Sequence, residues 1–359
     1  MKNKKITLAI IAIIVIIVAG SFFFKQETPA SNNTITIGAI IPVTGYASID
    51  GESIQKGITL AKEDLQQKGT SINVEVFDDA TDPKKTISGI ELMKSKGVNS
   101  VIGLAWTSQA SAAAPVLTKN NMIGYAPAVT DDVVDGSVQE KSSMVFGIPA
   151  IAKIKDPSAT WMKENNVKKL MIVTANLTWG MKHGETWKKA AEENGVEVII
   201  NETYTYDNEA SVISQLLIKA KKEGVDGIVW TGGEAGAVTL IKKSQELNYN
   251  VPILGDYFIR DVVMNKKVTP NGMNLSVIDT LQSKSFDEKY FKKFGSYPVN
   301  ANSLATYNLV MIAVDTEKNH KNNSLHDYVL ENKHDVYEGE YKFEKNGTPT
   351  NVVWVVTKI

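Results

Sequence analysis

From Thr34 onward the chain alternates short, β-branched apolar runs with amphipathic helical segments, and that alternation restricts the fold more than any single motif does. Ile35 to Ile41 is a near-continuous apolar run, as expected of a strand covered on both faces. Gly51 to Lys68 has helical spacing through Ile54, Ile58, Leu60, Ala61 and Leu65; Ile72 to Phe77 alternates as a strand; Pro83 to Lys96 is helical with Ile87, Ile90, Leu92 and Met93 inward. Val101-Ile102 breaks at Gly103, and an Ala-rich helix follows with Thr107 or Ser108 expected at its N-cap. Met122 to Ala126 completes β-α-β-α-β-α-β, an order that implies parallel pairing through right-handed crossovers.

After Met144 to Pro149 the same order restarts. Ser158 to Glu164 and Met181 to Glu193 read as helices around a strand at Lys169 to Val173. Val196 to Ile200 is a strand and Ser211 to Glu223 a helix; strands at Asp226 to Trp230 and Val251 to Leu254 flank a helix at Ala235 to Leu247. A single nine-stranded sheet is the alternative architecture. The repeated order, with Ile148-Pro149 between the halves, favours an α/β fold of two doubly wound parallel-sheet lobes. Later segments (Met273 to Ile278, Phe286 to Phe294, Ala301 to Thr316, Leu325 to Glu331, Val352 to Val356) are expected to return and complete both units. Lobe 1 then comprises 35–148 plus about 279–345 and lobe 2 comprises 149–278 plus about 346–359, joined by a hinge of several crossovers.

Three of the first five residues are lysine, and Ile6 to Phe24 is an uncharged run, apolar but for Thr7 and Ser21. Residues 1–25 therefore read as a signal peptide or an uncleaved membrane anchor, and the run is longer than the ~7–15 residues of a signal core. The body is expected outside the cytoplasmic membrane, anchored or released by cleavage, with 26–34 as a flexible tether. The chain has no cysteine, which removes disulfides, thiolate metal sites and a lipidated cysteine. A net charge of −1 and a single arginine, Arg260, argue against a nucleic-acid partner or multi-arginine phosphate recognition. None of the four histidines has metal-ligand spacing. Gly232-Gly233-Glu234-Ala235-Gly236 misses the dinucleotide fingerprint, and no nucleophile elbow or P-loop is present. Neither an enzyme nor a bound cofactor or metal is expected.

In Val101 to Thr130, two strand ends and one helix start converge on one sheet edge, where open α/β sheets bind ligands. A helix N-terminus with Thr107, Ser108 and Thr130 beside it suits a small carboxylate without any cationic side chain. The plainer alternative is that Thr107 or Ser108 only caps the helix.

The ordered set Ile37-Gly38-Ala39-Ile40-Ile41-Pro42-Val43-Thr44-Gly45, Asp78-Asp79, Ile102-Gly103, Thr107-Ser108 and Pro127-Ala128-Val129-Thr130 resembles the extracellular solute-binding proteins of branched-chain amino acid ABC transporters. Thr178-Trp179-Gly180, Thr231-Gly232-Gly233, Gly255-Asp256 and Ala305-Thr306-Tyr307 continue the resemblance to the end of the chain. It implies the type I periplasmic-binding fold, with ligand held in an interlobe cleft that closes. It also implies that Thr107 takes the ligand carboxylate beside Ala105 and Trp106, that Ala128 and Thr130 form a second contact loop, and that Trp179 is the cleft aromatic. Glu234 falls where the family often has an aromatic, Asp256-Tyr257 where it has the acid that meets the ligand ammonium, and Asp50 near another aromatic position. Trp106 is bulkier than the family's small residue. Acidic and aromatic residues together suit an ammonium-bearing ligand; Asp50 and Glu234 as ordinary helix-start carboxylates is the alternative.

The reading that follows is an ABC-importer receptor for an amino acid or related small ammonium-bearing solute, with a membrane permease as partner. A tethered sensor using the same cleft to signal through a membrane partner is the alternative.

Overall fold

Apolar strands of this kind need cover on both faces, and the chain provides it twice. The computed structural model describes residues 34–359 apart from 46, 130–143, 150–151, 281–282, 322 and 351. The expected signal or anchor segment and the tether before Thr34 lie outside the described residues, among which no helix is long and apolar enough to cross a membrane.

The first half runs β1 (Ile35–Ile41), α1 (Ser48–Gln67), β2 (Ile72–Asp78), α2 (Pro83–Ser95), β3 (Ser100–Gly103), α3 (Thr107–Asn120), β4 (Ile123–Val129) and β5 (Val145–Pro149). Its strands form a sheet of order β2-β1-β3-β4-β5, every pair parallel. Local chemistry sets the boundaries: Asp82 caps α2 by accepting from Lys84 N–H, and Pro83 fills the first turn, where its missing N–H costs nothing. The second half runs α4 (Lys155–Glu164), β6 (Lys169–Ala175), α5 (Thr178–Glu193), β7 (Glu197–Tyr204), α6 (Glu209–Glu223), β8 (Gly227–Trp230), α7 (Glu234–Glu246), β9 (Ile253–Gly255), α8 (Tyr257–Met264) and β10 (Leu275–Thr280). It is followed by α9 (Lys284–Phe294), α10 (Asn302–Asn319), α11 (Leu325–Glu331), β11 (Lys333–Asp335), β12 (Glu340–Lys342) and β13 (Trp354–Lys358).

The second sheet has order β13-β10-β9-β8-β6-β7. Counted from its own first strand it repeats the 2-1-3-4-5 order of the first sheet, which excludes the single nine-stranded arrangement. On α2 only Ile90 and Met93 of the four expected inward residues are buried, Ile87 and Leu92 being exposed, and four further features depart from the sequence reading. The segment at 145–149 joins the first sheet as a fifth strand instead of only separating the halves. The last strand starts at Trp354 and pairs antiparallel with β10. The short hairpin β11-β12 and the helix α8 were not anticipated from periodicity.

Packing explains the late return. Leu304, Ala305, Leu309, Val310, Ile312 and Ala313 of α10 belong to the same core as Ile37, Ile40, Val101 and Ile123, and Phe286 and Tyr290 of α9 join them. A helix apolar on most of its circumference must be enclosed, and α10 is buried almost continuously from Asn302 to Val310. Each fully buried aliphatic side chain there contributes ~1.5–3 kcal/mol of transfer free energy. The chain thus leaves the first sheet after β5, leaves the second after β10 to pack α9 and α10 on the first, and returns as β13.

Candidate functional site

In a 2-1-3-4-5 sheet the helices after strands 1 and 3 diverge to opposite faces and open a crevice at the strands' carboxyl ends. In the first sheet that crevice receives the starts of α1 and α3. Gly103 ends β3 at φ +108°, and a Cβ there would lie 2.1 Å from Ile40 O, so only glycine lets the chain turn this tightly against β1. The turn delivers Ala105, Trp106 and Thr107 to the crevice.

The N-cap of α3 is Trp106, not Thr107 or Ser108; it is extended (φ −128°, ψ 149°) and supplies no side-chain cap. The reason lies far away in sequence. The Trp106 indole donates to Asp50 Oδ2 at 2.8 Å, while Asp50 Oδ1 accepts from Asn300 and Asn302 side-chain amides at 2.6 and 3.1 Å. Burial pushes the Asp50 carboxyl up to about 6, with these three donors pulling the other way. Asp50 therefore braces Trp106 against the chain leading into α10.

The second sheet presents its equivalent crevice. Trp179 enters from the first turn of α5, one helical turn before the buried His183, whose Nδ1 donates to Trp179 O at 2.9 Å. Burial holds the His183 imidazole down at about 4, so it is neutral, and its ring stands edge-on to Trp179, Trp187 and Trp354 at centroid distances of 5.7, 5.5 and 6.3 Å. Asp256 caps α8: its Oδ1 accepts from Phe258 N–H and its Oδ2 from Gly232 N–H, both at 2.9 Å. Burial raises Asp256 to about 8 and Asp279, at the end of β10, to about 7, against the lowering field of Arg260 on Asp279.

These two crevices share one cavity of about 840 Å³, counting the open mouth. Of the expected residues it is lined by Asp50, Ala105, Trp106, Thr107, Ala128, Trp179, Asp256 and Tyr257. Ser108 is outside the lining; it is exposed and its hydroxyl donates to Gln109 Oε1. Glu234 is outside as well: its side chain is 45% exposed and paired with Lys267 at 2.8 Å, while the N-terminus of its helix is plugged by the buried Glu209, which accepts from Gly233 and Gly236 N–H. Thr130 lies outside the described residues. The sequence reading missed His183, Asp279, Thr280, Asn302 and Trp354 in the lining. Asp279 carried a usable signal, an acid closing an otherwise apolar strand run; Trp354 and Asn302 carried none, because only the return of the chain brings them in.

The described lining contains three carboxylates and several aromatic rings but no lysine or arginine. Among the described residues no cluster of potential metal ligands was found. The arrangement has two complementary walls: a helix start without a side-chain cap on one side, and buried acids among rings on the other.

Known proteins share this architecture. A family described as periplasmic binding protein matches residues 34–322. The Leu/Ile/Val-binding protein BraC3 of Rhizobium johnstonii is 23% identical over 232 residues, 63% of this chain and 62% of that protein. Leu/Ile/Val-binding protein homolog 7 of Brucella suis is 23% identical over 313 residues, 78% of this chain and 75% of its own. The matched region spans only about 60–62% of the length of the first such relatives. Among solved structures, a solute-binding protein of an ABC transporter from Rhodopseudomonas palustris, in complex with 3,4-dihydroxybenzoic acid, superposes with a TM-score of 0.75 at 19% identity, covering 91% of this chain and 93% of that one. The branched-chain amino acid transporter substrate-binding protein LivJ from Streptococcus pneumoniae, in complex with isoleucine, gives 0.70 at 19% identity, covering 91% and 100%. At such identities the likeness establishes the fold, the type I periplasmic-binding architecture. Because the family match takes in the whole first sheet, all but the last strand of the second, and most of the sequence, the chain belongs to the periplasmic binding protein family.

Proposed function

We propose that this chain is the extracytoplasmic receptor of an ABC importer, capturing an amino acid or a related small ammonium-bearing solute and delivering it to a membrane permease. The observation that carries the reading is the opposed chemistry of the two cleft walls. The α3 start, with Thr107, suits a carboxylate because helix N-termini direct amide N–H groups and a positive dipole end outward. The facing wall, with buried acids and the rings of Trp179, Tyr257 and Trp354, suits a cation on an apolar body. Lobes of 35–148 with about 279–345, and 149–278 with about 346–359, would close over the solute, because a ligand touching both walls favours the closed state by its differential contacts. Enclosing one indole removes ~150–250 Å² from water, several kcal/mol before ordering costs.

A second reading, an aromatic carboxylic acid, draws support from the ring-lined wall and from the 3,4-dihydroxybenzoic acid and benzoate bound by two structural neighbours. It leaves the buried acids without a cation, which is why it ranks second. Isothermal titration against amino acids, amines and benzoates separates them. Heat for amino acids and none for benzoates is the expected result; the reverse overturns the first reading. Tethered sensing would use the same cleft, and uptake by vesicles containing the cognate permease distinguishes it from import.

A further inference from the structure

Asp256 and Asp279 line the same wall, yet their oxygens are spent differently. Each Asp256 oxygen already accepts a backbone N–H, from Phe258 and from Gly232, so this carboxylate ties the start of α8 to the loop after β8. Asp279 Oδ1 accepts only its neighbour Thr280 N–H, at 2.7 Å, and Oδ2 has no donor among the described residues. The side chain is nonetheless 4% exposed and faces the cavity. A carboxylate oxygen that opens onto a cavity with no donor among the described residues keeps its accepting capacity for a cation that enters there. Arg260 does not meet that need: its guanidinium donates to Asp287, and its field only partly offsets the burial of Asp279.

We infer that Asp279 is the residue that receives the ammonium group of the bound solute, and that Asp256 is a positioning residue holding the backbone around it. The inference rests on the ammonium-bearing reading above and changes which acid performs the recognition. Its place in the fold adds a consequence. Asp279 pairs with Val355 and Thr280 with Trp354 across β10 and β13, the strands by which the chain leaves and re-enters the second sheet. A cation on Asp279 is thus held at the crossing strands themselves, with Trp354 beside it in the cavity.

The test uses two ligand triads on the full chain: L-leucine, isoamylamine and 2-hydroxyisocaproate, and L-phenylalanine, phenethylamine and phenyllactate. Asp279→Asn is expected to weaken the amine-bearing members by about tenfold or more while changing the hydroxy acids by less than about twofold. Asp256→Asn is expected to lower the melting temperature and to weaken all members alike, keeping the preference for amines. Asp279→Ser repeats the test if the asparagine variant does not fold. Unchanged amine affinity in the Asp279 variants, or loss of amine preference in Asp256→Asn alone, overturns the inference and leaves the ammonium reading intact. A wild-type protein that does not prefer the amine-bearing members overturns the ammonium reading, and the inference with it.

Discussion

Two helix starts face each other across the cleft and are finished in opposite ways. At α3 the N-cap is Trp106, whose side chain turns away to Asp50 and caps nothing. At α8 the N-cap is Asp256, whose carboxylate closes the first turn through Phe258 N–H and reaches Gly232 as well. Both helices point a positive dipole end toward the cavity, but only the second has an acid set on that end. The difference teaches how helix starts in one cleft whose described lining has no lysine or arginine come to differ: the first turn of α3 has no side-chain cap, and that of α8 has a carboxylate.

The largest effect is expected from breaking the capped wall. Asp256→Ala strips two buried backbone N–H groups of their acceptor and should destabilise the protein by about 2–4 kcal/mol, read as a lower melting temperature or denaturation midpoint. Asp50→Ala loosens the uncapped wall instead, leaving the Trp106 indole and the Asn300 and Asn302 amides without their acceptor; about 1–3 kcal/mol and a change in tryptophan emission are expected.

Stability against pH sharpens the same contrast. Burial raises Asp279 to about 7 and Asp256 to about 8 in the folded state, well above the ordinary carboxylate range. Between pH 6.5 and 8 the folded state therefore holds more protons than the unfolded one, so stability falls as pH rises. Asp256 alone accounts for about 1–2 kcal/mol over that window. Below it His183 acts in the opposite sense, since an imidazole held near 4 when folded loses stability as pH drops from 6.5. Ligand-free melting temperatures should decline from pH 6.5 to 8, and Asp256→Asn or Asp279→Asn should flatten the slope; a flat wild-type profile contradicts the burial-raised carboxyls of this wall.

The smallest effect is reserved for Thr107→Pro. Proline fits the first helical position, and the extended Trp106 before it is compatible, so the fold survives while one amide and one hydroxyl vanish. Affinity for leucine should drop by about tenfold and affinity for isoamylamine should hold, because only the former carries a carboxylate. Equal losses for both would show that the α3 start does not read the anion.

Much of this was legible in the residues. Runs such as Ile35–Ile41 and Leu170–Ala175 are apolar on both faces because helices cover both, and periodicity detects that directly. Thr107 stood out because it follows a strand end, the position where such sheets expose side chains to ligands, whereas Trp179 and Asp256 stood out through the family resemblance. The start of α3 was misplaced because N-cap preference favours Thr or Ser. Trp106 prevailed through a hydrogen bond to Asp50, 56 residues away. Glu234 looked like its neighbours in sequence and differs only because Glu209 plugs the helix behind it.

By itself the sequence determined the two-fold repeat of α/β order, the parallel strands, and several of the strand ends that border the cavity. Those properties are local: apolar periodicity and turn chemistry act over a few residues. Tertiary structure alone decided which acid is already satisfied and which is not, and it brought Asn302 and Trp354 to the cleft from the chain's last sixty residues. The physical reason is that hydrogen-bond capacity is shared among whatever groups the crossovers bring together, so the state of a buried carboxylate belongs to its neighbours in space and not to its neighbours in the chain.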